Sequence, residues 1–310
     1  MKITKDQLIL GLKGFGMGMA DIVPGVSGGT IALITGVYDN LIKSISSINK
    51  DFFKLVLSFK IKEALNHLNI SFLLPLLLGI ALAFITMSRV MHYFMNEYSI
   101  YTWSLFFGLI LASILFIGKT IQNLKSFNSL ALICVGTIIG YAIVSLVPVD
   151  TPNSLPMVFL SGSIAICAMI LPGISGSFIL LILGKYLYMT SALKNPMVDG
   201  NIFLILTFMG GCLVGILAFS KVLNHLLKNF HNQTMCILLG FMIGSMKKIW
   251  PWKEIIETKI VRGKTHILKD VVVMPSEINS EVIIALALMI FGILLVLSIE
   301  KFSKKTYKPR

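Results

Sequence analysis

Asp21–Tyr38 reads DIVPGVSGGTIALITGVY, and Met169–Tyr186 reads MILPGISGSFILLILGKY. Displaced by 148 positions, Pro24, Gly25, Ser27, Gly28, Ile31, Leu33, Ile34, Gly36 and Tyr38 fall on Pro172, Gly173, Ser175, Gly176, Ile179, Leu181, Ile182, Gly184 and Tyr186. With Ile22 on Ile170 as well, ten identities in eighteen columns mark a duplication. The proline lacks an amide donor and the glycines have no side chain to pack, so each motif predicts a break in an apolar helix. In hydrocarbon such a break persists only where the freed backbone groups are buried in protein or line a polar cavity. A pair of broken segments at matching places in two halves points to a transporter's binding site.

The surrounding composition sets the class. Of 310 residues, 56% are hydrophobic and 13% are charged, with a mean hydropathy of +0.87. An all-α integral membrane protein is expected, and a soluble globular domain is excluded. The net charge of +13 does not imply nucleic acid, because the lysines sit between apolar spans. It implies loops that face anionic membrane lipids. Cys134, Cys167, Cys212 and Cys236 lie in apolar stretches without metal-ligand spacing and are expected to be buried small hydrophobes. No metal or cofactor is expected. Gly11, Lys13 and Asp21 interrupt the first apolar run, so no cleavable signal peptide is expected there.

Working outward, residues 8–38 are expected to form a re-entrant hairpin, with Gly14 and Gly18 as a small-residue face for close helix contact. Residues 39–69 interleave Lys43, Lys50, Lys54, Lys60 and Lys62 with Phe52, Phe53, Leu55, Val56 and Phe59. They read either as a basic amphipathic helix on the membrane surface or as a solvated helical loop. Spans are expected at 70–94, 99–118 and 127–147. The second half, 149–310, repeats the plan with a hairpin at 157–188 and spans at 202–226, 233–249 and 281–299. At an offset of 132, Gly79, Ser88-Arg89-Val90 and Gly108…Ser113 fall on Gly211, Ser220-Lys221-Val222 and Gly240…Ser245, which extends the repeat beyond the hairpin. Residues 250–280 hold a mixed-charge loop in which KIVRGKTHIL suggests a small hairpin around Arg262-Gly263. The basic tail, Glu300–Arg310, is expected to fray.

Re-entrant hairpins leave three crossings in each half (1–148 and 149–310), an odd number that makes the repeats inverted. Setting aside Lys13, Arg89, Lys185 and Lys221 as lying within segments, this topology with both termini inside puts most loop lysines and arginines on the cytoplasmic side. Counting the hairpins as full crossings reverses the balance unless both ends are exported. The distribution of positive charge therefore favours six crossings.

The broken tips, PGVSGG and PGISGS, offer backbone amides at a helix start, where the dipole suits an anion. Gly28, Gly29 and Gly176 allow close approach, and Ser27 and Ser175 add hydroxyls; tight packing alone would also account for these residues. Arg89 and Lys221 occupy matched positions inside apolar spans, as interface anchors or as cations that hand an anion across. Asp21 is either a cap on the second arm or a coupling group. The Gly25-Val-Ser27-Gly28 pattern also fits intramembrane serine proteases. Yet His67, His92, His225, His231 and His266 lie near span ends or in loops, away from a nucleophile's reach, so no enzyme is expected.

ADIVPGVSGGT, LPGISG and LGFMIGSMKKIWPW resemble the bacterial polyprenyl-phosphate (undecaprenyl-phosphate) translocases of the PopT type, formerly a domain of unknown function. The resemblance covers essentially the whole chain. It implies movement of undecaprenyl phosphate, the lipid carrier of wall synthesis, from the outer to the inner leaflet of the cytoplasmic membrane. On that reading the phosphate is met by Ser27, Gly28, Gly29, Ser175, Gly176, Arg89 and Lys221, with Pro24, Gly25, Pro172 and Gly173 making the breaks. The expected partners are the lipid substrate and anionic membrane lipids. Homo-oligomerisation and the coupling ion, proton or sodium, stay open. The alternative is a small-anion or ion-coupled solute transporter built on the same broken helices.

Overall fold

The computed structural model describes residues 4–23, 26–146, 148–149, 151–198, 200–261 and 264–306. The chain is helical apart from one β-hairpin. Its helices are α1 (Lys5–Ile22), α2 (Gly28–Ile34), α3 (Tyr38–Ser46), α4 (Lys50–Leu57), α5 (Ile61–His67), α6 (Ile70–Glu97), α7 (Ser99–Thr120) and α8 (Phe127–Val144), then α9 (Leu155–Ile170), α10 (Gly176–Ile182), α11 (Tyr186–Lys194), α12 (Asn201–Asn229), α13 (His231–Ile249) and α14 (Ser280–Thr306). Antiparallel strands β1 (Lys253–Val261) and β2 (Lys264–Val272) lie between α13 and α14, with Val261 opposite Lys264. The expected turn residues Arg262 and Gly263 lie outside the described residues, as do Pro24 and Gly25.

Among the described residues, five helices are long and apolar enough to cross a membrane: α6, α7, α8, α12 and α14 up to Ser298. α13 occupies the span expected at 233–249 but falls short of that apolarity, because it opens on His231-Asn-Gln-Thr234 and closes on Lys247-Lys248. It packs on α7, α8 and α12. α10 and α11 are bent by 112° at their break. The hairpin arms are unequal. α1 begins at Lys5, three residues before the expected start of the hairpin at 8, where Thr4 and Gln7 form a capping box. Its 18 residues and the 16 of α9 contrast with the 7 of α2 and of α10. Residues 39–69 form no single surface helix. The segment is broken at 47–49 between α3 and α4, and Phe59 and Asn69, with positive φ, follow α4 and α5, while Phe53, Leu57 and Phe59 are exposed beside the lysines. The tail is helical through Thr306. Cys236 is buried as expected, whereas Cys134 is exposed on α8 and Cys167 and Cys212 are half-buried.

Glycines set the helix pairs. A Cβ on Gly79 would collide with the carbonyl of Gly11 where α6 crosses α1, and one on Gly211 with the carbonyl of Phe159 where α12 crosses α9. A Cβ on Gly108 would strike Met289 O at the α7–α14 contact, and one on Gly240 would strike Ile133 O at the α13–α8 contact. Small residues at these crossings are what lipid-embedded helices need, since packing rather than water exclusion holds them together. α7 and α13 run antiparallel. The main chain of Gln122, past the end of α7, exchanges two hydrogen bonds with the Asn232 side chain at the start of α13 (2.8 and 3.0 Å). Phe107, in the first half of α7, meets Trp250, past the end of α13, edge-on at 5.2 Å.

Because the groups facing Gly79 and Gly211 are backbone, neither side can yield by a rotamer change. Gly79→Val and Gly211→Val should each destabilise the fold by about 1–3 kcal/mol. A lowered melting temperature in detergent, with a smaller monodisperse fraction on size exclusion, would report it.

Candidate functional site: two broken hairpins joined at their tips

The two hairpins use the same local chemistry. α1 ends with Val23 N–H donating to Ala20 O (3.1 Å), and α9 ends with Leu171 N–H donating to Ala168 O (3.1 Å). The short arms α2 and α10 each close in a Schellman turn. Gly36 and Gly184, with φ of 69° and 67°, take the left-handed position that any side chain would strain. In the first half the bonds are Gly36 N to Leu33 O and Val37 N to Ala32 O. In the second they are Gly184 N to Leu181 O and Lys185 N to Leu180 O.

The tips are buried and touch each other. Ser27, with no exposed surface, donates its hydroxyl to Met169 O and Leu171 O at the end of α9 (both 3.1 Å). It also accepts from Gly29 N (3.1 Å), capping α2. Thr30, equally buried, accepts from Gly173 N (3.1 Å). Gly29 lies so close to α9 that a Cβ would overlap Ile170 O. Asp21 Oδ1 accepts from Gly28 N at 2.7 Å, so its carboxylate sits at the start of α2 as a cap. The tip amides of Gly28 and Gly29 are thus satisfied internally in this conformation. The second tip differs: Ser175 pairs with Ser177 (2.8 Å) and does not cap α10.

Ser27, Gly28, Gly29, Gly173 and Asp21 are brought together, and Ser175 and Gly176 are buried on the second hairpin, Gly176 against Ala165 O of α9. Pro172 is buried at the same break. Arg89 and Lys221 are not part of this cluster. Both are exposed, on α6 and α12, and among the described residues neither makes a hydrogen bond to a tip; Arg89 lines a shallow hollow with Ser88, Tyr93, Asn96 and Glu97.

Three contributors escaped the sequence reading. Thr30 sits one residue past the motif and matches Phe178, so the duplication hides it. Lys13 Nζ reaches Thr35 O (2.7 Å) at the end of α2. Lys185 is buried, donating to Thr151 O (2.6 Å) and Asn153 Oδ1 (2.8 Å), while the Thr151 hydroxyl donates to Leu183 O (2.6 Å) at the end of α10. A cation at a helix C-terminus is electrostatically favoured, and the signal available was a lysine inside an apolar hairpin.

Broken helices buried at their tips, among membrane-length apolar helices, define a membrane protein of the transporter class. A family model described as undecaprenyl phosphate translocase-like matches residues 17–266, and the chain belongs to that family. It is similar to a polyprenyl-phosphate transporter of Vibrio cholerae serotype O1 (strain ATCC 39315 / El Tor Inaba N16961), with 39% identity covering 97% of this chain and 99% of the relative. A polyprenyl-phosphate transporter of Staphylococcus aureus (strain NCTC 8325 / PS 47) is 32% identical, covering 77% of this chain and 85% of the relative. No solved structure matches the chain.

The Thr30–Gly173 bond gives a direct test of the joined tips. Thr30→Val is nearly isosteric but leaves a buried amide without its acceptor, and should cost about 1–3 kcal/mol. Thr30→Ser keeps the acceptor. Thermal denaturation in detergent should rank wild type and Thr30→Ser together above Thr30→Val.

Proposed function

We propose that this protein is a carrier that moves polyprenyl phosphate, undecaprenyl phosphate above all, from the outer to the inner leaflet of the bacterial cytoplasmic membrane, returning it for cell-wall synthesis. The observation that carries the reading is the pair of broken hairpins joined at buried, hydroxyl- and amide-rich tips, in a chain of the translocase-like family. The substrate class follows the names of the two relatives. A phosphate monoester on a long apolar tail needs a polar cavity for its head and an opening to lipid for its chain.

The halves 1–148 and 149–310 are proposed to be inverted repeats, each a re-entrant hairpin plus three crossings, with both termini cytoplasmic. What supports this is the antiparallel course of the equivalent helices α7 and α13, and the equivalent glycines closing equivalent pairs: Gly79 with Gly211 and Gly108 with Gly240. Rocking one hairpin against the other would then expose the tips to each side in turn. In that cycle the phosphate competes with Asp21 and Ser27 for the amides of Gly28 and Gly29, and with Ser177 for Ser175. Gly176 leaves room beside it. Arg89 and Lys221, on outward faces, would guide the headgroup along α6 and α12 rather than hold it at the tips. The exposed Phe53, Leu57 and Phe59, beside Lys50, Lys54 and Lys60, suit a surface of anionic lipid.

The protein is read as a non-enzyme. The partners of the Ser27 hydroxyl are backbone groups, which suits a latch and not a nucleophile paired with a base.

Labelled short-chain polyprenyl phosphate in proteoliposomes tests the reading. Wild type should move it between leaflets, and Ser27→Ala and Arg89→Ala should each slow that movement several-fold. Competition by unlabelled polyprenyl phosphate, and none by inorganic phosphate alone, is the expected result; the reverse would favour a small-anion transporter. Reporter fusions at the two termini should both report a cytoplasmic location.

A further inference from the structure

The last turn of α13 carries Lys247 and Lys248, which the hairpin motif leaves without a role. Lys247 Nζ donates to Ser145 Oγ (2.9 Å) and to Tyr141 OH (3.4 Å), 4.6 Å from the centre of the Tyr141 ring. Lys248 Nζ lies 4.9 Å from the centre of the Phe178 ring. Lys253, just beyond, donates to Lys248 O and lies 4.4 Å from the centre of the Trp103 ring. Three partly buried lysines therefore stand at or just past one end of α13, each against an aromatic ring of α7, α8 or α10. Cations against aromatic faces lose part of their hydration and act more strongly on an anion than they would in open water.

The internal repeat supplies a control. At the 132-residue offset, Lys247 and Lys248 correspond to Leu115 and Phe116 of α7. The first half builds the same helix from apolar residues, so neither lysine is required to form it. The lysines also stand beside the second tip. Ser245, three residues before Lys248 and on the same side of α13, lies against Gly173. Phe178, beneath Lys248, is on the first turn of α10, directly after the Ser175–Ser177 hydroxyl pair.

We infer that Lys247 and Lys248 form a docking site for a phosphate monoester at the β-hairpin face of the protein, from which the headgroup passes to the hydroxyls of Ser175 and Ser177. This rests on the transport reading, which assigns that face to the outside. A dianionic headgroup bridging two ammonium groups gains charge-assisted hydrogen bonds, and the absence of a counterpart pair in the first half makes the site one-sided.

The test uses the full chain in vesicles of known orientation, with short-chain polyprenyl phosphate presented to one face at a time. Lys247→Gln/Lys248→Gln should raise the half-saturating concentration by about tenfold or more at the β-hairpin face and far less at the other, and the double Lys→Arg variant should recover most of the loss. Equal half-saturation in wild type and the double Gln variant, or an equal loss at both faces, would overturn the site. Unlabelled polyprenyl phosphate added at the β-hairpin face should compete less effectively in the double Gln variant than in wild type, and equal competition in both would overturn the site. Should wild type move no polyprenyl phosphate, the transport reading falls. Equilibrium binding of the same lipid in detergent then decides the site: weaker binding by the double Gln variant supports it, and equal binding overturns it.

Discussion

A helix interrupted inside a membrane must place its freed amides and carbonyls somewhere other than lipid, and the structure is arranged around how that is done. The first tip answers with hydroxyls. Ser27 reaches the carbonyls of Met169 and Leu171, and Thr30 receives Gly173 N. The orphan groups at the end of α9 are thereby satisfied by the other half of the molecule. A hydrogen bond of this kind is worth about 1 kcal/mol net, but leaving its buried partner bare costs more. Such a contact is specific when made and weak enough to exchange during a cycle.

Two near-identical motifs do different work in this conformation. Thr30 corresponds to Phe178, so a mirror-image bond from the second half is chemically unavailable. Ser175, the counterpart of Ser27, is turned to Ser177. Asp21 has Met169 at its equivalent position and caps the first short arm only. The duplication therefore supplies a common frame, the break and the Schellman turn, on which unlike residues set the polarity of each tip.

The frame around the tips is held by close helix crossings at glycine. α1 with α6 and α9 with α12 tie each hairpin to a long helix of its own half. α7 with α14 and α8 with α13 join the halves. Where backbone meets backbone without intervening side chains, a pair of helices packs closely. Each hairpin is accordingly coupled to a membrane-length helix, with the tip contact lying between two such pairs. Charge is placed at the ends of the short arms, where Lys13 meets the Thr35 carbonyl just past α2 and Lys185, just past α10, meets the Thr151 carbonyl of the segment before α9.

Much of this was legible in residues 21–38 and 169–186. Proline and glycine break a helix wherever they stand, and an apolar chain of this composition must be membranous, so the breaks, the duplication and most helix positions followed from local chemistry. The division of residues 39–69 into short helices involves a break at 47–49 and positive φ at Phe59 and Asn69, which the lysine spacing does not announce. α13 coincides with the expected span at 233–249 but is less apolar than the other long helices, because of its polar start and its lysine end. The partners of Ser27, Thr30 and Lys185 lie in residues distant in sequence or unmatched by the repeat, and only the packing of one hairpin on the other, through contacts such as Gly29 against Ile170 O, decided them. Local sequence dictated where backbone groups would be set free; which groups then received them was a matter of which surfaces the folded helices brought within hydrogen-bond reach.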